Sequence, residues 1–148
     1  MISVDIKQLL GRLNGFCTRC LEGAAGLCVS RTHYEVTVEH FLAKLLEEPR
    51  ADIPIVLKNY DLDPGRLQKS LERTIEEFRT GNAAKPVFSP LLMEWFQEAW
   101  LLASVNWEEP KIRSGALLLA FLTKPGQFAS GQYADILKAV SKDALVAD

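Results

Sequence analysis

Apolar residues recur every three or four positions along almost the whole chain, and the strict alternation that is typical of β-strands is nearly absent. The stripe formed by Ile6, Leu9, Leu10 and Leu13 predicts a first helix over about residues 3–13. Helices with one apolar stripe can bury it only by packing against other elements. The sequence therefore predicts an all-α fold.

Two predicted helices begin with the same pair of signals, a capping residue followed by proline. Asp63-Pro64 starts a helix that should run to about residue 79, and Ser89-Pro90 starts one that should run to about residue 105. Proline suits the first helical position because its missing N–H would have no helical partner there. The other predicted helices cover about residues 16–30, 38–47, 52–60, 115–122, 133–140 and 142–146, with loops at 31–36 and 107–113.

The second half of the chain repeats the first at a shift of 76 residues. On this register Val36 aligns with Ile112 and Leu42 aligns with Leu118. The order of long helix, loop, short apolar helix and proline break also recurs, which predicts two helical repeats related by a pseudo-two-fold axis. The expected organisation is one domain over residues 1–148, with an extra helix at 3–13, repeat one at 16–79, a linker at 80–88 and repeat two at 89–146.

Charge and hydropathy argue against several classes of function. The net charge is −2 and the pI about 5.7, whereas a nucleic-acid-binding domain favours a basic face. The longest apolar run, 116–122, is too short to cross a bilayer, and the first residues do not form a secretory signal. We therefore expect a cytoplasmic domain that binds neither nucleic acid nor membrane.

The chain also lacks the motifs of catalysis and cofactor binding. No Gly-x-x-x-x-Gly-Lys-Ser/Thr sequence occurs in its 148 residues, so it has no P-loop to hold ATP phosphates. Cys17, Cys20 and Cys28 fall within a helical pattern, which favours reduced core thiols over a zinc site. His33 is expected in a polar loop and His40 after a helix cap, neither of them with a nucleophile nearby. We predict no catalytic residue, metal or cofactor.

Five stretches resemble the N-terminal domain of the Clp unfoldases. Residues 38–46 and 60–63 are similar to the domain in general, and residues 24–34, 86–95 and 112–119 are similar to the ClpV type of type VI secretion systems. The likeness covers essentially the whole chain, including the extra N-terminal helix. Where ClpB-like domains have Ser-Glu-His, this chain has Ser114-Gly115-Ala116, which agrees with the ClpV type.

The resemblance implies a non-catalytic domain of a larger, hexameric AAA+ ATPase, whose motor modules would lie beyond residue 148. In the family, the extra helix helps to form a groove for an N-terminal helix of the sheath protein TssC, also called VipB, and the ATPase disassembles contracted sheaths. The isolated domain should be a monomer. Two alternatives are a docking module that tethers or regulates the motor and a ClpB-like domain that loosely holds unfolded chains.

The partner groove is expected between the extra helix and the two repeats. Its floor should include Leu10 and Leu13, and its polar rim Thr18 or Arg19 together with Glu22. Phe16, Cys17, Cys20 and Leu21 of the following helix are candidates for one wall. The turn with Phe88, Ser89 and Leu92 is the candidate for the opposite wall, because Phe88 is an apolar residue just before a helix cap and the family resemblance implies its place there.

Overall fold

The computed structural model describes residues 6–106 and 111–123, together with residues 128, 133 and 137. This part of the chain contains seven α-helices and two very short strands, which confirms the predicted all-α fold. In chain order the elements are α1 (Ile6–Leu10), α2 (Gly15–Ser30), β1 (Glu35–Val36), α3 (Val38–Leu45), α4 (Asp52–Asn59), α5 (Pro64–Glu76), β2 (Val87–Phe88), α6 (Pro90–Asn106) and α7 (Ser114–Thr123).

Side-chain caps begin the longer helices. The Asn14 carboxamide oxygen accepts a hydrogen bond from the Cys17 N–H at 2.8 Å. The predicted caps are also present, since the Asp63 carboxylate accepts from the Gly65 N–H and the Ser89 hydroxyl accepts from a backbone N–H of α6. Each cap satisfies a donor that a helix start leaves without an internal partner.

The first helix ends at Leu10, three residues before the predicted end, while residues 1–5 lie outside the described part. Gly11 and Arg12 form a turn, and Leu13 makes an isolated parallel bridge to Ile112. Glycine disfavours helix continuation, and the bridge gives the backbone around Leu13 partners from the second half of the chain. The predicted helices at 133–140 and 142–146 lie outside the described residues, except that residues 133 and 137 are helical and buried.

Two short parallel pairings join the halves of the chain symmetrically. Val36 of β1 lies opposite Phe88 of β2, and Leu13 lies opposite Ile112. Leu13 and Phe88 each lie two residues before a long helix, α2 and α6 respectively. Each pairs with the residue that lies two positions before the short helix of the other half, which is Ile112 before α7 and Val36 before α3. A duplicated unit packed about a pseudo-two-fold axis produces this pattern. The pairings also place strand residues inside the predicted loop at 31–36 and the predicted linker at 80–88.

Burial shows that the long helices align at a shift of 75, one less than the sequence comparison predicts. The matched buried pairs are Cys17 and Leu92, Cys20 and Trp95, Leu21 and Phe96, Ala24 and Ala99, and Cys28 and Ala103. The short helices keep the shift of 76, since Val36 and Ile112 each stand two residues before their helix. The second half therefore has one additional residue between its long and its short helix.

Aromatic side chains from both halves build one shared core. The Phe41 ring of α3 packs edge-on against the Trp95 and Phe96 rings of α6, with centroids 5.7 and 5.0 Å apart. The Trp95 indole N–H donates to the Leu117 carbonyl at 2.8 Å, and the Tyr133 hydroxyl donates to the buried Glu39 carboxylate. Because these polar groups are satisfied, burying them does not leave an uncompensated desolvation cost.

Candidate functional site

The eleven residues predicted to form the groove divide by burial. Six are buried in the core: Leu13, Cys17, Cys20, Leu21, Ser89 and Leu92. The other five reach the surface: Leu10 and Phe16 are half-buried, whereas Thr18, Glu22 and Phe88 are exposed. In this structure the first group supports the surface from beneath, and only the second group can contact a partner directly.

The surface residues of α2 lie on two flanks, separated by its buried stripe. Thr18, Glu22, Ala25 and Val29 follow one another at spacings of three or four, so they share one side of the helix, which we call the groove flank. Phe16 points to the other side and lines a cleft next to α4. The structure therefore brings together the predicted rim residues Thr18 and Glu22 but separates Phe16 from them.

Val87 and Phe88 of β2 form an exposed apolar ridge. Their side chains are 62% and 38% exposed. Strand β2 pairs with β1, and β1 contacts α2 where the Cys28 thiol meets the Glu35 carbonyl at 3.3 Å. Strand β1 thus links the ridge to the C-terminal part of α2, while α3 approaches the Phe16 side of α2, where Lys44 lies over Gly23.

Two apolar residues of this surface were missed by the sequence analysis. Val29 is 57% exposed at the end of the groove flank, and Val87 belongs to the segment predicted as linker. The spacing of Val29 from Glu22, seven residues along one helix, is a signal that could have identified it. Nothing in the local sequence indicates that Val87 pairs with β1, because that pairing is long-range.

The cleft beside Phe16 has a volume of about 360 Å³, and most of the residues that line it are polar or charged. At its edge the Asp52 carboxylate accepts hydrogen bonds from both the Nε and the Nη2 of Arg113, at 2.9 and 2.7 Å, and from the Ser114 hydroxyl and the Gly115 N–H. Burial raises the pKa of Asp52, but these hydrogen bonds outweigh it and hold the pKa below its usual value. The carboxylate is thus committed to joining α4 to the start of α7.

His33, predicted in a polar loop, is buried beside His40. The Thr37 N–H donates to His40 Nδ1 at 3.0 Å, so the uncharged His40 carries its proton on Nε2 and donates to His33 Nδ1 at 2.9 Å. Burial lowers the pKa of both rings, that of His40 to about 4 with the neighbouring His33 as a further cause. Phe78 covers both rings. The pair is a neutral structural element beneath the loop at 31–34.

The cysteines have the features of core residues. Cys17, Cys20 and Cys28 are unpaired and buried. Burial raises the pKa of all three thiols, that of Cys20 to about 11, which disfavours the reactive thiolate. Within the described ranges no group of histidine, cysteine and acidic side chains could hold a metal ion, and no described helix is long and apolar enough to cross a membrane.

A family model and a curated relative both match this chain to the Clp proteins. Residues 13–139 match the model of the Clp repeat (R) N-terminal domain. The chain is 26% identical over 125 residues to the AAA+ ATPase ClpV1 of Pseudomonas aeruginosa, covering 84% of this chain and 14% of that protein.

Solved structures agree with this match. The N-domain of ClpV from Vibrio cholerae superimposes with a TM-score of 0.93 at 35% identity, over 99% of this chain and 88% of that one. A structure described as a complex of the ClpV N-domain with a VipB peptide has a TM-score of 0.87 at 36% identity, over 98% of this chain and 89% of that one.

Proposed function

The chain belongs to the Clp repeat (R) N-terminal domain family, and from this premise we propose that it is the substrate-recognition domain of a ClpV-like AAA+ ATPase. Its partner would be an N-terminal helix of a TssC/VipB-type sheath protein, bound so that the contracted sheath can be disassembled. The curated ClpV1 relative is about seven times as long as the matched segment, so ATP hydrolysis would belong to other parts of such a protein.

One observation carries this proposal. The ClpV N-domain, which shares this fold, is known in complex with a VipB peptide, and this chain has an exposed apolar surface of its own at the groove flank and the ridge. Such a surface can accept the apolar face of an amphipathic helix, whose anchors recur at i, i+3, i+4 and i+7. We further propose that the isolated domain is a monomer and that it acts in the cytoplasm as part of a hexamer.

The test is calorimetric titration of this chain with a synthetic peptide of the sheath N-terminal helix and with a scrambled version of it. We expect saturable binding of the native peptide alone. Equal binding of both peptides would favour the general holding of unfolded chains, and no binding of either would favour a docking module. Either result would contradict the proposal.

A matched pair of variants locates the surface. Phe88→Asp places a charge in the exposed ridge, and we expect it to weaken binding by at least about tenfold, since a few apolar anchors dominate such interfaces. Glu72→Lys changes a charge on the outer face of α5 and should leave binding unchanged. Leu13→Asp is less informative, because Leu13 is buried and a charge there would unfold the domain.

A further inference from the structure

A second cleft lies between the loop that precedes α3 and the residues that follow α5. It has a volume of about 480 Å³ and is lined by His33, Tyr34, Glu35, Thr37, Phe78 and Arg79. None of the eleven residues predicted for the partner groove lines this cleft. A cleft of this volume is large enough for a small molecule or for the end of a peptide.

The buried histidine pair presents one hydrogen-bond donor to this cleft. Since His40 donates to His33 Nδ1, the uncharged His33 ring carries its proton on Nε2. This Nε2 forms no hydrogen bond with any residue that the structure describes, although His33 is only 2% exposed. In the described ranges, every fully buried side-chain nitrogen and oxygen of the buried and half-buried residues has a partner. The His33 Nε2–H therefore reaches the surface where the ring lines the cleft.

The direction of this donor is fixed by the groups beneath it. The Thr37 N–H can only donate, so His40 Nδ1 is the acceptor and His40 Nε2 carries the proton that His33 accepts. The Phe78 ring packs edge-on against the His33 ring, with the two centroids 5.6 Å apart. The donor is thus held in place before a ligand arrives, and binding does not have to order it.

The Arg79 guanidinium supplies positive charge to the same cleft. Its central carbon lies 5.0 Å from the ring centroid of Tyr34, so a cation–π contact holds it against that ring. Arg79 forms neither a hydrogen bond nor an ion pair with the acidic side chains that the structure describes. The cleft therefore combines a neutral donor, on His33, with a charged one, and a ligand can supply the acceptor for both.

The charged groups around the cleft favour a ligand with a single negative charge. Burial lowers the pKa of His33, and the nearby positive charge of Arg31 lowers it further. Arg79 lines the cleft, and so does the carboxylate of Glu35. Two arginines and one glutamate leave one positive charge to be balanced, so a singly charged anion is favoured over a doubly charged phosphate.

We propose that this cleft binds an organic carboxylate, which accepts hydrogen bonds from the His33 Nε2–H and from the Arg79 guanidinium. A carboxylate carries two acceptor oxygens on one carbon, and its hydrogen bonds to a guanidinium are charge-assisted. The rings of Tyr34 and Phe78 also line the cleft and offer apolar surface to the rest of the ligand. The ligand is thus a small aromatic acid or the carboxyl end of a peptide with an apolar last residue. This site does not depend on the proposed function.

The first test compares two probes that share one apolar body. N-acetylphenylalanine carries a carboxylate, and N-acetylphenylalanine amide does not. In NMR titrations at constant ionic strength, we expect the acid to shift the His33 ring nitrogen signals and the Arg79 backbone amide saturably, with a dissociation constant of about 1 mM. The amide should cause no saturable shift. Equal shifts with both probes, or shifts that leave the His33 ring unaffected, would overturn the proposal.

Two further ligands define the source of the carboxylate. Phenylacetate that binds more tightly than N-acetylphenylalanine would identify a free aromatic acid, and weaker binding would identify a peptide end. Inorganic phosphate that binds more tightly than either would overturn the assignment of a carboxylate.

A matched pair of variants tests the charged donor. Arg79→Gln should weaken the binding of N-acetylphenylalanine at least about fivefold. Arg73→Gln makes the same change at another exposed position, on α5, and should leave binding unchanged. Circular dichroism checks the fold of both variants, and both should bind the sheath-helix peptide like the unsubstituted protein. If Arg79→Gln binds the acid as tightly as the unsubstituted protein, the site is wrong, whereas the proposed function is unaffected.

Discussion

The short helices α3 and α7 start at matching places in the two halves, but their first turns are stabilised in different ways. At α3 the Thr37 hydroxyl accepts from the His40 N–H, and His40 Nδ1 accepts from the Thr37 N–H in return. At α7 the Gly115 N–H donates to Asp52, which belongs to the other half of the chain. One helix start is completed locally, and the other only when the two halves are packed together.

The chemical nature of the two caps also differs. The α3 cap needs an uncharged imidazole, because a proton on His40 Nδ1 would face the Thr37 N–H instead of accepting from it. The α7 cap needs a charged carboxylate, which also accepts two hydrogen bonds from Arg113. Both caps are therefore lost when the group gains a proton, but His40 loses its stabilisation between pH 6.5 and 4 and Asp52 only below pH 3.8, and this contrast can be measured.

The largest expected effect is the loss of stability when the His40 ring gains a proton at acidic pH. Its pKa in the folded protein is lowered to about 4 by burial, from 6.5 in an unperturbed histidine. The uncharged His40 ring therefore contributes its full stabilisation above pH 6.5, and this contribution is lost as the pH falls to about 4. The loss amounts to about 3 kcal/mol of unfolding free energy. Urea unfolding at pH 7, 5.5 and 4 measures it.

The control for this experiment is His40→Gln, which carries no titrating group. It should lose most of the pH dependence between 6.5 and 4, although His33, whose pKa is also lowered by burial, leaves a remainder. An unchanged slope in the variant would show that the histidine pair is not the source.

The next largest effect is expected at the α7 cap. Asp52→Ala leaves Arg113, the Ser114 hydroxyl and the Gly115 N–H without their shared acceptor, and we expect it to lower the unfolding free energy by about 2 kcal/mol. Glu48→Ala, an exposed change in the same cleft, should cost less than about 0.5 kcal/mol. Equal losses in the two variants would mean that the cap contributes nothing.

The pH dependence of the α7 cap should differ from that of the α3 cap. The folded pKa of Asp52 lies below 3.8, because the hydrogen bonds from Arg113, Gly115 and Ser114 outweigh the effect of burial. Its stabilisation therefore persists above pH 3.8 and is lost only below that value. The difference in unfolding free energy between the parent and Asp52→Ala should stay constant from pH 7 to 5, and a decrease within that range would contradict this assignment.

A smaller loss is expected from the α3 cap alone at neutral pH. Thr37→Ala removes the hydroxyl that accepts from the His40 N–H and should cost about 1 kcal/mol, the usual value for a helix cap. Thr37→Ser keeps the hydroxyl and should retain most of the stability. Thermal unfolding followed by circular dichroism compares the two, and an equal loss would assign the effect to the methyl group.

The smallest effect is expected far from both caps, on the charged outer face of α5. Glu72→Lys alters an exposed residue and should change the unfolding free energy by less than about 0.5 kcal/mol. Measured in the same urea series, it sets the scale against which the cap variants are judged. A loss as large as that of Thr37→Ala would show that this face does more than contact solvent.

The candidate site was predictable only in part. Thr18 and Glu22 follow from their place on the helix after the extra helix, and Phe88 from its place before a capped helix together with the family resemblance. The same reasoning included Cys17 and Leu92, which are buried, and it put the wall residue Phe16 and the rim residue Thr18 in one groove, although they lie on opposite sides of α2. A helical pattern says which residues share a face, but not which flank of that face a neighbouring element covers.

The sequence by itself determined the all-α class, the helix starts at Pro64 and Pro90, and the duplicated order of elements. These depend on apolar spacing and on caps within a few residues of each other along the chain. The tertiary structure alone decided that Leu13 pairs with Ile112, that Asp52 completes α7, and that α1 covers α6 while the groove flank stays open. Such contacts join residues far apart in sequence, so they form only when the two halves pack together.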